Sequence, residues 1–245
     1  MFVLYSLYKR DIVARSCQSR LIYCFVATLA ALSFRGPASA EIALSQVIID
    51  VAPSEATVRD IELSNLATDK AYVEVTVYRI TNPGQLPMKR ETSGNPAELG
   101  LLATPAKMVL GPESARLIRL ILLNPADDQE HVWRVSVVPK VGDVTDDLTG
   151  VKLVIGYEVL VFQRPKDLRF DMKFTRRGKV LTVTNIGNTN VLIPQLSQCT
   201  APEQCQKSSG TRIYPGLTET INLALDAPVD ISMQGAGRNW VDHQL

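Results

Sequence analysis

Residues 151–162 read VKLVIGYEVLVF, and this stretch decides the fold. Its odd-numbered positions are all apolar, whereas Lys152, Gly156 and Glu158 interrupt the even-numbered ones. A side-chain period of two predicts a β-strand with one continuous apolar face. The run is about twice the usual strand length of roughly 5–6 residues. We therefore expect part of this face to serve a partner. The alternative is that all six odd-numbered side chains belong to the chain's own core.

Extended segments separated by turn signals precede this run, and they predict an antiparallel β-sandwich of immunoglobulin type. The turn signals include Asn82-Pro83-Gly84, Gly111-Pro112 and Asn124-Pro125. The Cys-Trp-Cys pattern of antibody domains is absent. The predicted strands cover residues 43–51, 57–63, 71–78, 107–110, 115–122 and 132–138.

A second, smaller sandwich is predicted after Gln163-Arg164-Pro165, because proline cannot continue a central strand. This divides the chain into domains of residues 41–165 and 166–245. So small a domain has a marginal core, and Cys199 and Cys205 lie in it. We expect them to form a disulfide in an oxidising compartment, worth about 2 kcal/mol. The predicted strands cover residues 168–174, 179–185, 190–195, 210–214, 219–225 and 229–233.

The first 40 residues have the pattern of a cleavable secretory signal. Basic residues precede the apolar run 21–32, and Ala38-Ser39-Ala40 forms a small-x-small cleavage site. We expect an exported mature chain that starts at Glu41; an uncleaved anchor is the alternative. Without residues 1–40, which hold five basic residues and one acidic residue, the net charge falls from +1 to −3.

Several functional classes find no support in the sequence. No strongly basic patch suggests nucleic acid, and no G-x-S-x-G, H-E-x-x-H or glycine-rich phosphate loop suggests an enzyme. His131 and His243 lie far from the cysteines, which argues against a metal site. The aspartates of loop 140–150 lack calcium-loop spacing. We therefore expect no catalytic residue, no cofactor and no metal.

Three motifs carry a resemblance to a known family. Residues 103–120 read ATPAKMVLGPESARLIRL, residues 162–165 read FQRP, and residues 183–189 read VTNIGNT. Together they resemble the periplasmic chaperones of chaperone–usher pili, and Trp133-Arg134-Val135 is similar to their alternate (α-type) branch. The resemblance implies an all-β fold of two immunoglobulin-like sandwich domains at an angle, and a periplasmic protein.

The resemblance also implies a use for the long strand. Such chaperones lend the last strand of their first domain to a pilus subunit that lacks one, a form of β-augmentation. Val151, Leu153 and Ile155 fall on the donor positions, and Tyr157, Val159 and Val161 would fill the chaperone's own core. The implied partners are pilus or fimbrial subunits and an outer-membrane usher. Whether the free protein caps itself as a dimer stays open.

The sequence departs from the family at the anchor of the subunit's C-terminal carboxylate. Relatives hold it with an arginine and a lysine, where this chain has Ile48 or Ile49 and Leu160. A buried carboxylate needs cations or donors, so we consider Arg164, Arg134 and Arg119. The alternatives are an interdomain ion pair for Arg164, a solvated charge for each of the others, and anchoring by backbone N–H groups.

The competing hypothesis is a secreted structural or adhesion module of a pilus, which would share export and the sandwich fold. A pilus subunit would carry an N-terminal extension for strand exchange and lack a complete last strand. Here residues 41–50 are predicted to form a strand, and the last strand of the first domain is over-long. The sequence therefore favours the chaperone.

Overall fold

The computed structural model describes residues 42–140, 155–201 and 204–244. Within these ranges the chain forms β-strands and one four-residue helix, α1 (Pro96–Leu99). The strands are β1 (Ile42–Leu44), β2 (Ile48–Val51), β3 (Val58–Asn65), β4 (Ala71–Ile80), β5 (Arg90–Glu91), β6 (Leu101–Thr104), β7 (Lys107–Leu110), β8 (Ala115–Leu122), β9 (His131–Lys140), β10 (Tyr157–Gln163), β11 (Met172–Arg177), β12 (Val180–Asn185), β13 (Val191–Ala201), β14 (Gln204–Ser209), β15 (Arg212–Ile213), β16 (Thr218–Asn222), β17 (Val229–Gly235) and β18 (Arg238–Gln244).

Strands β1–β10 build a first sandwich of two sheets. One sheet has the order β1-β3-β8-β6; the other has the order β2-β10-β9-β4-β5, with β7 also paired to β4. Alternating residues from both sheets meet in one apolar core, as a sandwich requires. Its most deeply buried members include Ile61, Leu63, Leu110, Ile118, Val135, Val137 and Val159.

The predicted strand 43–51 is wrong as a single strand. Its first part, β1, pairs antiparallel with β3, and its second part, β2, pairs parallel with β10 in the opposite sheet. Exposed Ser45 and Gln46 lie at the crossing, where the Ser45 N–H donates to the Glu62 carbonyl at 2.9 Å. The segment therefore belongs to both layers, and β2–β10 is a parallel pair in an otherwise antiparallel sheet.

Strands β11–β18 build a second sandwich from a three-stranded sheet, β11-β12-β16, and a five-stranded sheet, β14-β13-β17-β18 with β15 paired to β13. The predicted disulfide is confirmed: Cys199 and Cys205 are cross-strand partners on β13 and β14, and their sulfurs are bonded. All six residues of β14 are exposed, so burial contributes little to holding this hairpin. The core contains Leu181, Val183, Val191, Ile193, Leu196, Ile213, Val229, Ile231 and Met233.

The remaining departures from the predicted elements concern their ends and number. Strand β10 begins at Tyr157, so Ile155 and Gly156 precede it instead of continuing a strand from residue 151. Strands β5, β6, β14 and β18 were not predicted. Helix α1 was missed although its sequence signals are present: Asn95 accepts the Ala97 N–H at 3.1 Å, proline follows it, and Gly100 ends the helix at φ 78°.

In the described ranges, no helix combines the length and the apolar character that crossing a membrane requires. No group of three or more histidine, cysteine, aspartate or glutamate side chains gathers there in a way that could hold a metal ion. Residues 1–40, which carry the predicted leader, lie outside the described residues.

Candidate functional site

Strand β10 is paired unequally on its two sides. Along β9 it is paired over its whole length, from Tyr157 opposite Val137 to Gln163 opposite His131. Along β2 it is paired only from Leu160, opposite Ile48, to Gln163. Among the described residues, the start of β10 therefore projects beyond the start of β2 and has a paired neighbour on one side only.

In this projecting part, the backbone N–H and C=O groups on the β2 side point away from the sheet. Leu160 and Arg164 donate their N–H groups to Val47 and Val51 on the β2 side, at 2.9 Å each. Backbone groups alternate sides along a strand, so the even-numbered residues present theirs on this side. The backbone groups of Glu158 and Gly156 lie on this same side, beyond the start of β2. Within the described residues no backbone group pairs with them there, so this is an open strand edge.

Side-chain burial changes along the odd-numbered face of the same segment. Val159 and Val161 are buried at 0% and 1% exposure, and Tyr157 is half-buried, its hydroxyl donating to the Ile42 carbonyl at 2.7 Å. These three residues fill the first core, as predicted. Ile155 is 49% exposed, so the core ends between Tyr157 and Ile155. The other two predicted donor residues, Val151 and Leu153, lie outside the described residues.

The even-numbered side chains of β10 lie on the opposite face of the sheet. Glu158 accepts two hydrogen bonds from Arg90, at 2.6 and 2.9 Å, and this carboxylate raises the pKa of Arg90. The Arg90 guanidinium lies 5.7 Å from the centre of the Tyr78 ring. Because Arg90 is on β5 and Glu158 on β10, this ion pair reaches across the sheet beside the open edge.

Leu160 and Phe162 follow Glu158 on this face and belong to a third apolar cluster, which joins the two sandwiches. Tyr214 and Leu217 of the second sandwich pack against it. Gly84 in the β4–β5 loop has φ +80°, and a Cβ there would lie 2.7 Å from atoms of both side chains. A larger residue would not fit there. Gly84 therefore allows the β4–β5 loop to pack closely against the second sandwich.

Arg164, one of the predicted anchor residues, is fully buried next to this cluster. It bonds Asp50 through Nε at 2.6 Å and Nη2 at 2.5 Å, and Glu130 and Thr189 through Nη1 at 2.7 Å each. Burial opposes the charge, but these carboxylates outweigh it and raise the pKa of Arg164. Its ion pairs are therefore with two carboxylates of the first sandwich, and its hydrogen bond to Thr189, just before β13, connects it to the second.

Glu130 holds the other side of this network. Its Oε2 accepts from Arg164, from the Thr189 hydroxyl at 2.7 Å, and from the backbone and side-chain nitrogens of Asn190 at 2.9 and 2.7 Å. Glu130 was not among the predicted site residues. Its side chain is only 2% exposed, and a buried carboxylate of this kind requires such partners.

The other two predicted anchor residues have different surroundings. Arg119 is exposed on the β1-β3-β8-β6 sheet and bonds Asp60 twice at 2.8 Å, which lowers the pKa of that carboxyl. The sheet that carries Arg119 does not contain β10. Arg134 is half-buried on β9, with its Cα opposite that of Leu160. Within the described residues it forms no hydrogen bond or ion pair.

The register also shows how Ile48, Ile49 and Leu160 lie relative to one another. Ile48 is the direct neighbour of Leu160 across β2 and β10, whereas Ile49 points into the core at 3% exposure. Ile48 is therefore the residue that shares a face with Leu160. The register aligns Tyr78, Arg134, Leu160 and Ile48 in one row across four strands, and Arg134 is the cation of that row.

Comparison with known proteins identifies the fold. No protein-family model matches the chain, and no curated protein matches it. The solved structure of the class 5 fimbriae chaperone CfaA matches with TM-score 0.61 and 19% identity, over 83% of this chain and 99% of that one. The chain has the fold of the fimbrial chaperones.

Two further matches to this chaperone fold are complexes. The Salmonella enterica SafA pilin bound to the SafB chaperone matches with TM-score 0.62 and 12% identity, over 86% of this chain and 98% of that chain. The CsuC–CsuE chaperone–tip adhesion subunit pre-assembly complex of Acinetobacter baumannii matches with TM-score 0.57 and 12% identity, over 83% and 98%. Both complexes pair a chaperone with a pilus subunit.

Proposed function

We propose that this protein is a periplasmic chaperone that stabilises fimbrial subunits by lending them a strand and delivers them to an outer-membrane usher. The observation that carries the proposal is the open edge of β10. Its outward N–H and C=O groups at Gly156 and Glu158 lie directly after the segment that holds the predicted donor residues. A strand added there gains backbone hydrogen bonds whatever its sequence.

The side chains add the apolar part of the binding energy. Ile155 is the first odd-numbered residue outside the core, and it is half exposed. Together with Val151 and Leu153 it would fill an apolar groove in the subunit. Burial of such side chains stabilises by roughly 1.5–3 kcal/mol each before the losses of association are subtracted.

The same proposal includes the organisation of the chain. Residues 1–40 are an export leader, residues 41–165 a domain that lends the strand, and residues 166–245 a second domain with the disulfide. Arg134 is the favoured anchor of the subunit's carboxylate among the three arginines, because Arg164 and Arg119 are already bonded to carboxylates. The proposal assigns no catalytic activity to the chain.

A paired substitution tests the function. Wild type, the Leu153→Asp, Ile155→Asp double variant and a Leu117→Asp control are co-expressed with the cognate fimbrial subunit. Leu117 matches Ile155 as a half-exposed aliphatic side chain, but it lies on the other sheet. We expect all three proteins to fold, and we expect wild type and the control to yield a soluble complex with one chaperone per subunit. The double variant is expected to lose the subunit.

Two outcomes contradict the proposal. A double variant that still protects the subunit from aggregation and proteolysis shows that the strand is not lent. Recovery of the wild-type protein as part of a surface polymer supports the alternative of a structural or adhesion module.

A further inference from the structure

Strand β18 lies at one end of the second sandwich's five-stranded sheet. On one side it is paired with β17 along its whole length, from Arg238 opposite Gly235 to Gln244 opposite Val229. On its other side no strand of the described residues pairs with it. A row of unpaired backbone groups at the end of a sheet is a template for pairing with another strand. The protein therefore has an open edge on the sandwich that does not contain β10.

The turn before β18 shows which of its backbone groups point outward. Ala236 and Gly237 both have positive φ, 45° and 73°, as in the two-residue turns of tight hairpins. The residues that flank such a turn, here Gly235 and Arg238, exchange backbone hydrogen bonds. Because backbone groups alternate sides along a strand, the even-numbered residues of β18 point theirs at β17. The residues with outward backbone groups are Asn239, Val241 and His243.

The side chains of β18 alternate between the two faces of the sheet. Trp240 packs against the second core, with its ring centre 5.1 Å from that of Phe170. The Arg238 guanidinium lies 6.0 Å from the centre of the same Phe170 ring. Asp242 has the same parity and therefore shares this face. Val241, on the opposite face, is 53% exposed.

The sequence of β18 is complementary to itself when read in the opposite direction. An antiparallel pair of two copies, centred on Trp240, places Arg238 opposite the partner's Asp242. In the same register Asn239 lies opposite the partner's Val241. Both of these residues have outward backbone groups, so they exchange hydrogen bonds. Opposite charges that face each other stabilise a strand pair, and like charges destabilise it.

The other three end strands of the second sandwich lack this property. β14 has a single charged residue, Lys207, and β16 also has a single one, Glu219. β11 has three, all of them basic: Lys173, Arg176 and Arg177. Two copies of any of these strands would meet without a pair of opposite charges. Charge complementarity therefore selects β18 as the edge, and a second copy of this chain as its partner.

We propose that β18 pairs antiparallel with β18 of a second copy, centred on Trp240, so that the two five-stranded sheets become continuous. The Arg238–Asp242 ion pairs and the backbone hydrogen bonds of Asn239 and Val241 hold this dimer in register. The inference is independent of the proposed function, because β18 and β10 belong to different sandwiches. The dimer pairs no residue of β10, so it differs from a dimer that caps the open edge of that strand.

Charge reversal tests the pairing. Sedimentation velocity measures the dimer dissociation constant of wild type, Arg238→Asp, Asp242→Arg and the double variant that carries both changes. We expect wild type to dimerise, each single reversal to weaken the dimer about 10-fold or more, and the double variant to regain wild-type affinity to within about threefold. Arg177→Asp reverses an exposed arginine at the end of the other sheet and should leave the dimer unchanged. Circular dichroism verifies that each variant is folded.

Cysteine cross-linking tests the register without altering a charge. The double variant Asn239→Cys, Val241→Cys places the new thiols of the two copies opposite each other, within reach of a disulfide. We expect it to form a covalent dimer in oxidised glutathione, which a reductant separates. Val241→Cys alone should not cross-link, because diagonal positions of paired strands lie roughly 7–8 Å apart.

Three outcomes overturn the inference. A wild-type protein that stays monomeric at every concentration shows that the edge does not pair. A covalent dimer of Val241→Cys alone shows a register centred on Val241, which lacks the Arg238–Asp242 pairs. A dimer that survives Arg238→Asp but is lost in the Leu153→Asp, Ile155→Asp variant pairs through the segment before β10 and not through β18.

Discussion

The edge of β10 that faces β2 has two halves, which are similar in sequence but differ in backbone pairing. From Leu160 to Gln163 the strand is paired on both sides and its side chains are buried. Within the described residues Tyr157 to Val159 are paired on one side only, and Ile155, two positions before them, is half exposed. The odd-numbered face is apolar from Tyr157 to Val161, across both halves. The comparison shows that backbone pairing, more than residue type, distinguishes the part that closes the sheet from the part with an open edge.

Amide exchange gives the largest expected difference between the two halves. The Leu160 N–H is hydrogen-bonded to Val47 in the closed half, whereas the Glu158 N–H faces the open edge. Core amides exchange only through openings close to global unfolding, whereas unpaired amides exchange freely. We expect the Leu160 amide to be protected on the order of a thousandfold more than that of Glu158. Equal protection, measured by NMR or mass spectrometry, contradicts an open edge.

Removal of Arg164 should destabilise the closed half strongly. Arg164→Ala leaves Glu130 and Asp50 without their cation, and breaking a buried ion pair is unfavourable by about 3–5 kcal/mol. Urea unfolding followed by fluorescence measures the change. Arg119→Ala, which removes an exposed ion pair, should leave the midpoint nearly unchanged. If Arg164→Ala keeps wild-type stability but loses the subunit, Arg164 is an anchor and the buried network contributes little to stability.

Alanine substitutions on the odd-numbered face give the smallest expected effects. Val161→Ala removes buried methyl groups and should lower the free energy of unfolding by about 2 kcal/mol. Ile155→Ala alters an exposed side chain and should change it by no more than about 0.5 kcal/mol. Thermal and urea unfolding of both variants measure the difference. Equal destabilisation would place Ile155 in the chain's own core, the alternative that all six odd-numbered residues are structural.

Local sequence patterns predicted the strands well and their partners poorly. Strands β7 and β8 have the predicted limits, because turn residues mark both ends. The exchange of sheets within 42–51 has no such mark, since no glycine or proline separates Leu44 from Ile48. Strand β14 was missed because its residues are polar and lack an apolar face.

The residues of the candidate site show the same difference between local patterns and distant contacts. The donor segment stays a prediction, which rests on the local alternation of residues 151–162. Tyr214 was missed because only its packing against Leu160 and Phe162 reveals it. The role of Arg164 stayed open for the same reason: its partners Asp50 and Glu130 lie 114 and 34 positions away. Contacts between distant segments leave no periodic signal in the sequence.

The parallel pairing of β2 with β10 also bears on the order of folding. β2 comes from the start of the described chain and β10 closes the first sandwich, so the ladder joins segments more than a hundred positions apart. Contacts of such large separation form late, because the intervening chain loses most of its freedom first. Until the β2–β10 contacts form, Val47 and Ile48 do not pair with Leu160, and the edge of β10 has no boundary between a paired and an unpaired part. The boundary between the closed and the open part of the β10 edge is therefore established among the last events of the protein's own folding.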